Sequence, residues 1–154
     1  MPAPTGPIHS AGVAAQAAPL AATSPTTHDA CSIVTAADIA ATTGIHVGAG
    51  TATDSYLQGT TCTFASADNA TVIVQTSPKP DEYLQEAKFE AMYDDVHELD
   101  VASDRGFVAA PNEVGVGHVL VVKNGFGVDV SVAAHSGYGV VQEQALASLV
   151  ASRL

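Results

Sequence analysis

With 154 residues, 47% of them hydrophobic and 14% charged, the chain allows one domain of ordinary size with a real core. Five Lys and Arg stand against sixteen Asp and Glu, a formal net charge of -11, which disfavours nucleic acid and anionic membrane surfaces as partners and favours cationic ones. The apolar share rests on Ala and Val, aromatics are 5% and Trp is absent, so the expected core is one of small and β-branched side chains on packed strands.

No apolar run approaches the ~20 residues of a membrane-spanning helix. The start, Met1 to Pro7, carries no positive charge, and the patch from Ile8 to Ala18 is too polar for the apolar region of a signal peptide. Residues 1–28 are dominated by Pro, Ala, Thr, Ser and Gly, with prolines at 2, 4, 7, 19 and 25. So few large apolar side chains cannot offset the entropy of ordering, and the segment reads as a flexible tether to a single domain over 29–154.

The first element of that domain is signalled by Thr35 and Asp38, an N-cap and an acid at N3, with Gly44 suited to the left-handed position after a helix over Ala36 to Thr43. Its buried side is expected from Ile33, Val34, Ile39 and Ala40. A short strand is expected over Ile45 to Gly50 and a loop over Thr51 to Gly59. Thr60 to Ser66 and Ala70 to Thr76 read as a hairpin joined through Ala67-Asp68-Asn69. Pro78 and Pro80 stop the second arm and introduce a helix at about Asp81 to Asp95.

Gly106 to Ala110 reads as a brief strand, and Val114 to Lys123 with Phe126 to Ala134 as the clearest pair. Asn124-Gly125 between them is the sequence of a two-residue type I′ turn, since both residues tolerate positive φ. Val140 to Leu154 is an amphipathic helix with Val141, Ala145, Leu146, Leu149, Val150 and Leu154 on one face. Helix, strands, helix, strands, helix, joined by short hairpins, specify an α+β fold. A mostly antiparallel sheet carries an N-terminal, a middle and a C-terminal helix packed on it.

Few constellations offer chemistry. Cys31 and Cys62 fit neither CxxC nor a Cys/His metal spacing. Beside a Pro/Ala/Thr tether they suggest one disulfide and an oxidising compartment, with two buried thiols or a reactive or metal-binding cysteine as the alternatives. A two-residue turn at Asn124-Gly125 sets His118 opposite Ser131 and diagonal to Asp129, a grouping that invites a hydrolase reading. Ser131 lies mid-strand without a strained elbow or evident oxyanion donors, however, and ordinary polar cross-strand pairing is the better account of the trio. The middle helix spaces Glu82, Glu86, Glu90 and Asp94 four residues apart, a solvated acidic stripe or a docking face for a cationic partner. The six histidines show neither HxxxH nor HExxH spacing, and no metal or other cofactor is expected.

The run Asp29-Ala-Cys31-Ser-Ile-Val-Thr35-Ala-Ala-Asp38-Ile-Ala, closed by Thr43-Gly44 and followed by Cys62-Thr63-Phe64, resembles a family. It is similar to the actinobacterial secreted and lipoprotein domains of unknown function that open with Asp-Pro-Cys, Leu-Leu-Thr and a short helix. The resemblance covers about 29–154 and is distinctive in the two cysteine segments. Ala30 departs from the usual Pro, Phe64 stands where Trp is frequent, and no lipid-acceptor cysteine precedes Cys31. It implies an exported cell-envelope domain, secreted or held at the cell surface, with a Cys31–Cys62 disulfide and no catalytic residues. The functional expectation is therefore a non-enzymatic domain that binds an envelope protein, a peptide or a small ligand. The alternatives are an inhibitor of a secreted enzyme, acting through the acidic helix face or a hairpin loop, or a small hydrolase using His118 and Ser131.

Overall fold

A computed structural model describes residues 28–55, 58–82, 95–135 and 137–154. The sequence-expected tether, apart from His28, and most of the expected middle helix lie outside the described residues. Pro80 to Glu82 open a helical turn where that helix was expected to begin.

Among the described residues, seven strands form one sheet in the order β1-β2-β3-β7-β6-β5-β4, every neighbouring pair antiparallel, and with its helices the fold is α+β. The strands are β1 (Thr51–Asp54), β2 (Thr60–Ala65), β3 (Thr71–Ser77), β4 (Val96–Glu98), β5 (Arg105–Ala109), β6 (Val116–Lys123) and β7 (Phe126–Ala133). Helices α1 (Ala30–Ile33), α2 (Ala36–Thr43) and α3 (Val140–Arg153) complete the described elements.

Strand alternation builds the core. Val119 and Val121 of β6 share a face with Val128, Val130 and Val132 of β7, Val72 and Val74 of β3, and Cys62 and Phe64 of β2. Ile33, Val34 and Ile39 from the N-terminal helices and Leu146 and Val150 from α3 close over this face. The other face is covered too, since Phe107, Leu120 and Val122 on it are buried. The turn between β6 and β7 pairs Lys123 with Phe126 and holds Asn124 at φ 54° and Gly125 at φ 75°, as a type I′ turn requires.

The N-terminal corner is tightly bonded. Cys31 and Cys62 are joined by a disulfide, which fastens α1 to β2. The Ala30 amide donates to Thr60 Oγ1 at 2.7 Å, and the His28 ring meets Phe126 edge-on at 4.8 Å. Thr35 and Asp38 form the capping box expected of them, and Gly44 ends α2 in the left-handed conformation. Asp38 also receives Arg153 from the last turn of α3, at 2.7 and 2.9 Å.

Two expectations need correction, and one strand was not anticipated. The short strand falls at Thr51–Asp54 rather than at 45–50, because this stretch is all exposed and is recruited by pairing with β2 rather than by an apolar pattern of its own. The three-residue edge strand β4 was missed for the same reason: it lies where the expected helix ends and exists through its ladder to β5. Finally, α3 is rotated from its expected face. Val141 is 79% exposed and Ala145 is exposed, while Glu143, Leu146, Ala147, Val150 and Ala151 are buried. Ala147 and Ala151 let the helix lie close on the sheet, and the rotation carries a glutamate into the interior.

Candidate functional site

The sequence-expected positions sort into three outcomes. Cys31 and Cys62 are bonded to one another. Glu82 is exposed and faces Lys79 at 3.8 Å, a solvated pair of little energetic weight, while Glu86, Glu90 and Asp94 lie outside the described residues. His118 stands opposite Ser131, as the two-residue turn dictated, and its Nδ1 is 3.4 Å from Asp129 Oδ1. The His118 and Asp129 side chains are only 12% and 8% exposed, on the face that also buries Leu120 and Val122. That burial suits a pair that holds the sheet together better than a nucleophile's base, which a substrate carbonyl has to reach.

The site that sequence reasoning missed lies at the Ala133 end of the sheet. Glu143, in the first turn of α3, is fully buried, and neither carboxylate oxygen has a hydrogen-bond partner. It lies over Gly117 of β6. A Cβ at Gly117 would strike Glu143 Oε1 and come within 3.1 Å of Tyr138 Cε1, so the missing side chain makes the room the carboxylate occupies. The Tyr138 hydroxyl is likewise buried without a hydrogen-bond partner.

Burial pushes the Glu143 carboxyl up to about 7; the neighbouring Tyr138 hydroxyl and the His118 imidazole oppose the shift, and Asp95 adds to it. Asp95 itself meets His97 Nε2 at 2.9 Å. Burial first, and then the charges of Glu143 and Asp129, hold the Tyr138 phenol well above its ordinary range, so it is a neutral hydroxyl at any ordinary pH. The two groups face each other, but neither closes a hydrogen bond of normal length, unlike most buried polar groups.

Tyr138 also faces outward. Its ring lines a cleft of about 450 Å³ together with Asn112, Glu113, Gly115 and His135. One wall is rigid by construction: Asn112 Oδ1 accepts from the amides of Val114 and Val116 at 3.1 and 3.0 Å, and Gly115 turns the chain at φ 80°. A second hollow of about 230 Å³, lined by His46 and Asp68, adjoins it, because Ala134 and His135 border both. The two hollows carry the carboxylates of Glu113 and Asp68 and no Lys or Arg among their lining residues. Among the described residues no group of three or more His, Cys, Asp or Glu is placed to hold a metal ion.

The signal that could have found Glu143 is a glutamate one turn into a helix whose buried face continues through Leu146, Ala147 and Val150 at i+3, i+4 and i+7. Hydrophobicity assigned that face to Val141 and Ala145 instead. Comparisons with protein-family models, curated proteins and solved structures each find no match. The cleft and the carboxylate beside it therefore carry the functional reading on their own chemistry. No helix among the described residues is long and apolar enough to cross a membrane.

Proposed function

We propose that the chain is an exported, non-catalytic binding domain of the cell envelope that takes a small ligand, or one side chain of a peptide, in the cleft beside Tyr138. The observation that carries this reading is the joint between a concave surface and a buried, unpartnered acid: Tyr138 lines the cleft and packs against the notch that holds Glu143. The Cys31–Cys62 disulfide supports an oxidising compartment, and the Pro/Ala/Thr-rich segment over 1–28 supports a tether, as does the resemblance to tethered envelope domains. The hairpin-loop version of the inhibitor reading loses support from the turn itself. Asn124 is tied to Asp104 through its amide at 2.8 Å and to the Leu154 carbonyl through its side chain at 2.6 Å, so the tip is engaged.

Amide chemical-shift mapping on the full chain tests the reading, with a panel of amines, organic acids, sugars and short peptides. Saturable shifts concentrated on 111–115 and 134–138, with every panel compound recovered unchanged, are expected. Product formation, or saturable shifts centred elsewhere, would overturn it.

A further inference from the structure

Glu143 raises the question of what its carboxylate is built to meet. We propose that it is the cation-accepting group of the cleft: a ligand's ammonium or guanidinium group displaces the Tyr138 ring and pairs with the Glu143 carboxylate, which itself occupies the notch left by Gly117. The proposal rests on the reading of this cleft as the binding site and adds the chemical class of what it binds.

Three observations point the same way. First, the Lys and Arg side chains among the described residues are engaged elsewhere. Lys79 faces Glu82, Arg105 pairs with Asp81, Lys123 donates to the Ala151 carbonyl at 2.5 Å, and Arg153 pairs with Asp38. Lys88, the fifth, lies outside the described residues. Second, the notch is specific. Gly117 omits a side chain, the Glu143 carboxylate takes the room that leaves, and neither of its oxygens closes a hydrogen bond of normal length. Third, the approach is anionic, with Glu113 and Asp68 exposed at the lining of the two hollows.

In the empty state a proton substitutes for the missing cation, consistent with a Glu143 carboxyl raised to about 7. The groups facing it are Tyr138 from the loop, His118 from the far face of β6 and Asp95 from the approach to β4. Of these, His118 is the cationic one when protonated, and it lies against Asp129 on the opposite side of the sheet. An ammonium arriving at Glu143 is therefore expected to expel the proton.

The probes are butylammonium, 1-butanol and butyrate, which share a chain and differ in charge, read by chemical shifts of the Gly117 and Tyr138 amides. Butylammonium is expected to bind about 30-fold more tightly at pH 8 than at pH 5.5, following the ionised fraction of one carboxyl that titrates near 7. Calorimetry in two buffers of different ionisation enthalpy should show about 0.8 proton released per ammonium bound at pH 6.5, a readout that needs no variant. Glu143→Gln should abolish both effects, and its amide spectrum shows whether it remains folded. Equal binding of butanol and butylammonium, or unchanged ammonium binding in Glu143→Gln, would overturn the proposal. If ligands still shift 111–115 and 134–135 in that variant, the cleft remains a binding site and the cation assignment alone falls. If neither these probes nor the wider panel moves the cleft, the reading of the site falls with it.

Discussion

Asp38 and Glu143 both sit in the first turn of a helix, and their surroundings drive them in opposite directions. Arg153, Thr35 and the Thr35 amide converge on Asp38, and the Arg153 guanidinium above all holds its carboxyl far below the usual carboxylate range. Glu143 has the same favourable helix end, yet burial outweighs the Tyr138 hydroxyl beside it and pushes it up to about 7. The helix dipole is thus the minor influence at both positions. The number of donors that reach the carboxylate decides its charge, and the molecule saturates one acid at its N-terminal corner while leaving the other unfilled and buried beside Tyr138.

Breaking the saturated corner should have the largest effect. Replacing both cysteines with serine removes a cross-link that closes a loop of ~30 residues, an expected loss of ~3 to 4 kcal/mol on the chain-entropy account, read by urea denaturation. Intact mass after alkylation should show two modified thiols in the reduced native protein and none without reductant. Two alkylated thiols in unreduced exported protein would contradict the oxidising compartment.

The unfilled acid comes next, and its sign is opposite to that of Asp38. With a folded value near 7 against an ordinary 4.5, Glu143 contributes most to stability below pH 4.5, and that contribution fades as pH rises to 7. Glu143→Gln should therefore gain roughly 3 kcal/mol over the native chain at pH 8 and about nothing at pH 4. Unfolding midpoints that shift equally at both pH values would refute the ionisation account.

Arg153→Met tests the saturated acid from the other side. It leaves Asp38 with its Thr35 bonds and strips away a bidentate partner, an expected loss of about 2 kcal/mol near neutrality. Because the Asp38 carboxyl is depressed in the fold, its contribution is present above its unfolded value of 3.8 and lost as pH falls below that. The variant should thus lose less on acidification from pH 5 to 2 than the native chain does. The smallest change should come from Gly125→Ala. Nothing lies within 4 Å of a Cβ there, so the cost is the left-handed backbone alone, about 1 kcal/mol, with both pH profiles unaltered.

What the sequence revealed follows from where the information is local. The capping box at Thr35 and Asp38 and the Asn124-Gly125 turn are short-range devices, and the turn alone fixed His118 opposite Ser131. The fold class followed from the hairpins. Strands β1 and β4 were not legible because they form on the edges of a ladder that their own residues do not dictate. Glu143 was not legible because a helix's inward face is chosen by the shape of what it packs on, here Gly117 and the small residues Ala147 and Ala151. A hydrophobic stripe is a poor guide when an alanine faces water and a glutamate does not.

The pairing of β3 with β7 has a temporal consequence. Thr71 to Ser77 lie against Gly127 to Ala133, so the centre of the sheet is a junction between residues far apart in the chain. The β2–β3 hairpin can form early but keeps one long edge unpaired until β7 arrives, and β7 arrives already coupled to β6 through a two-residue turn. Loop closure across that gap places this domain among the slower folders. During that interval the Val72 and Val74 strand is the segment most exposed to pairing with a neighbouring chain.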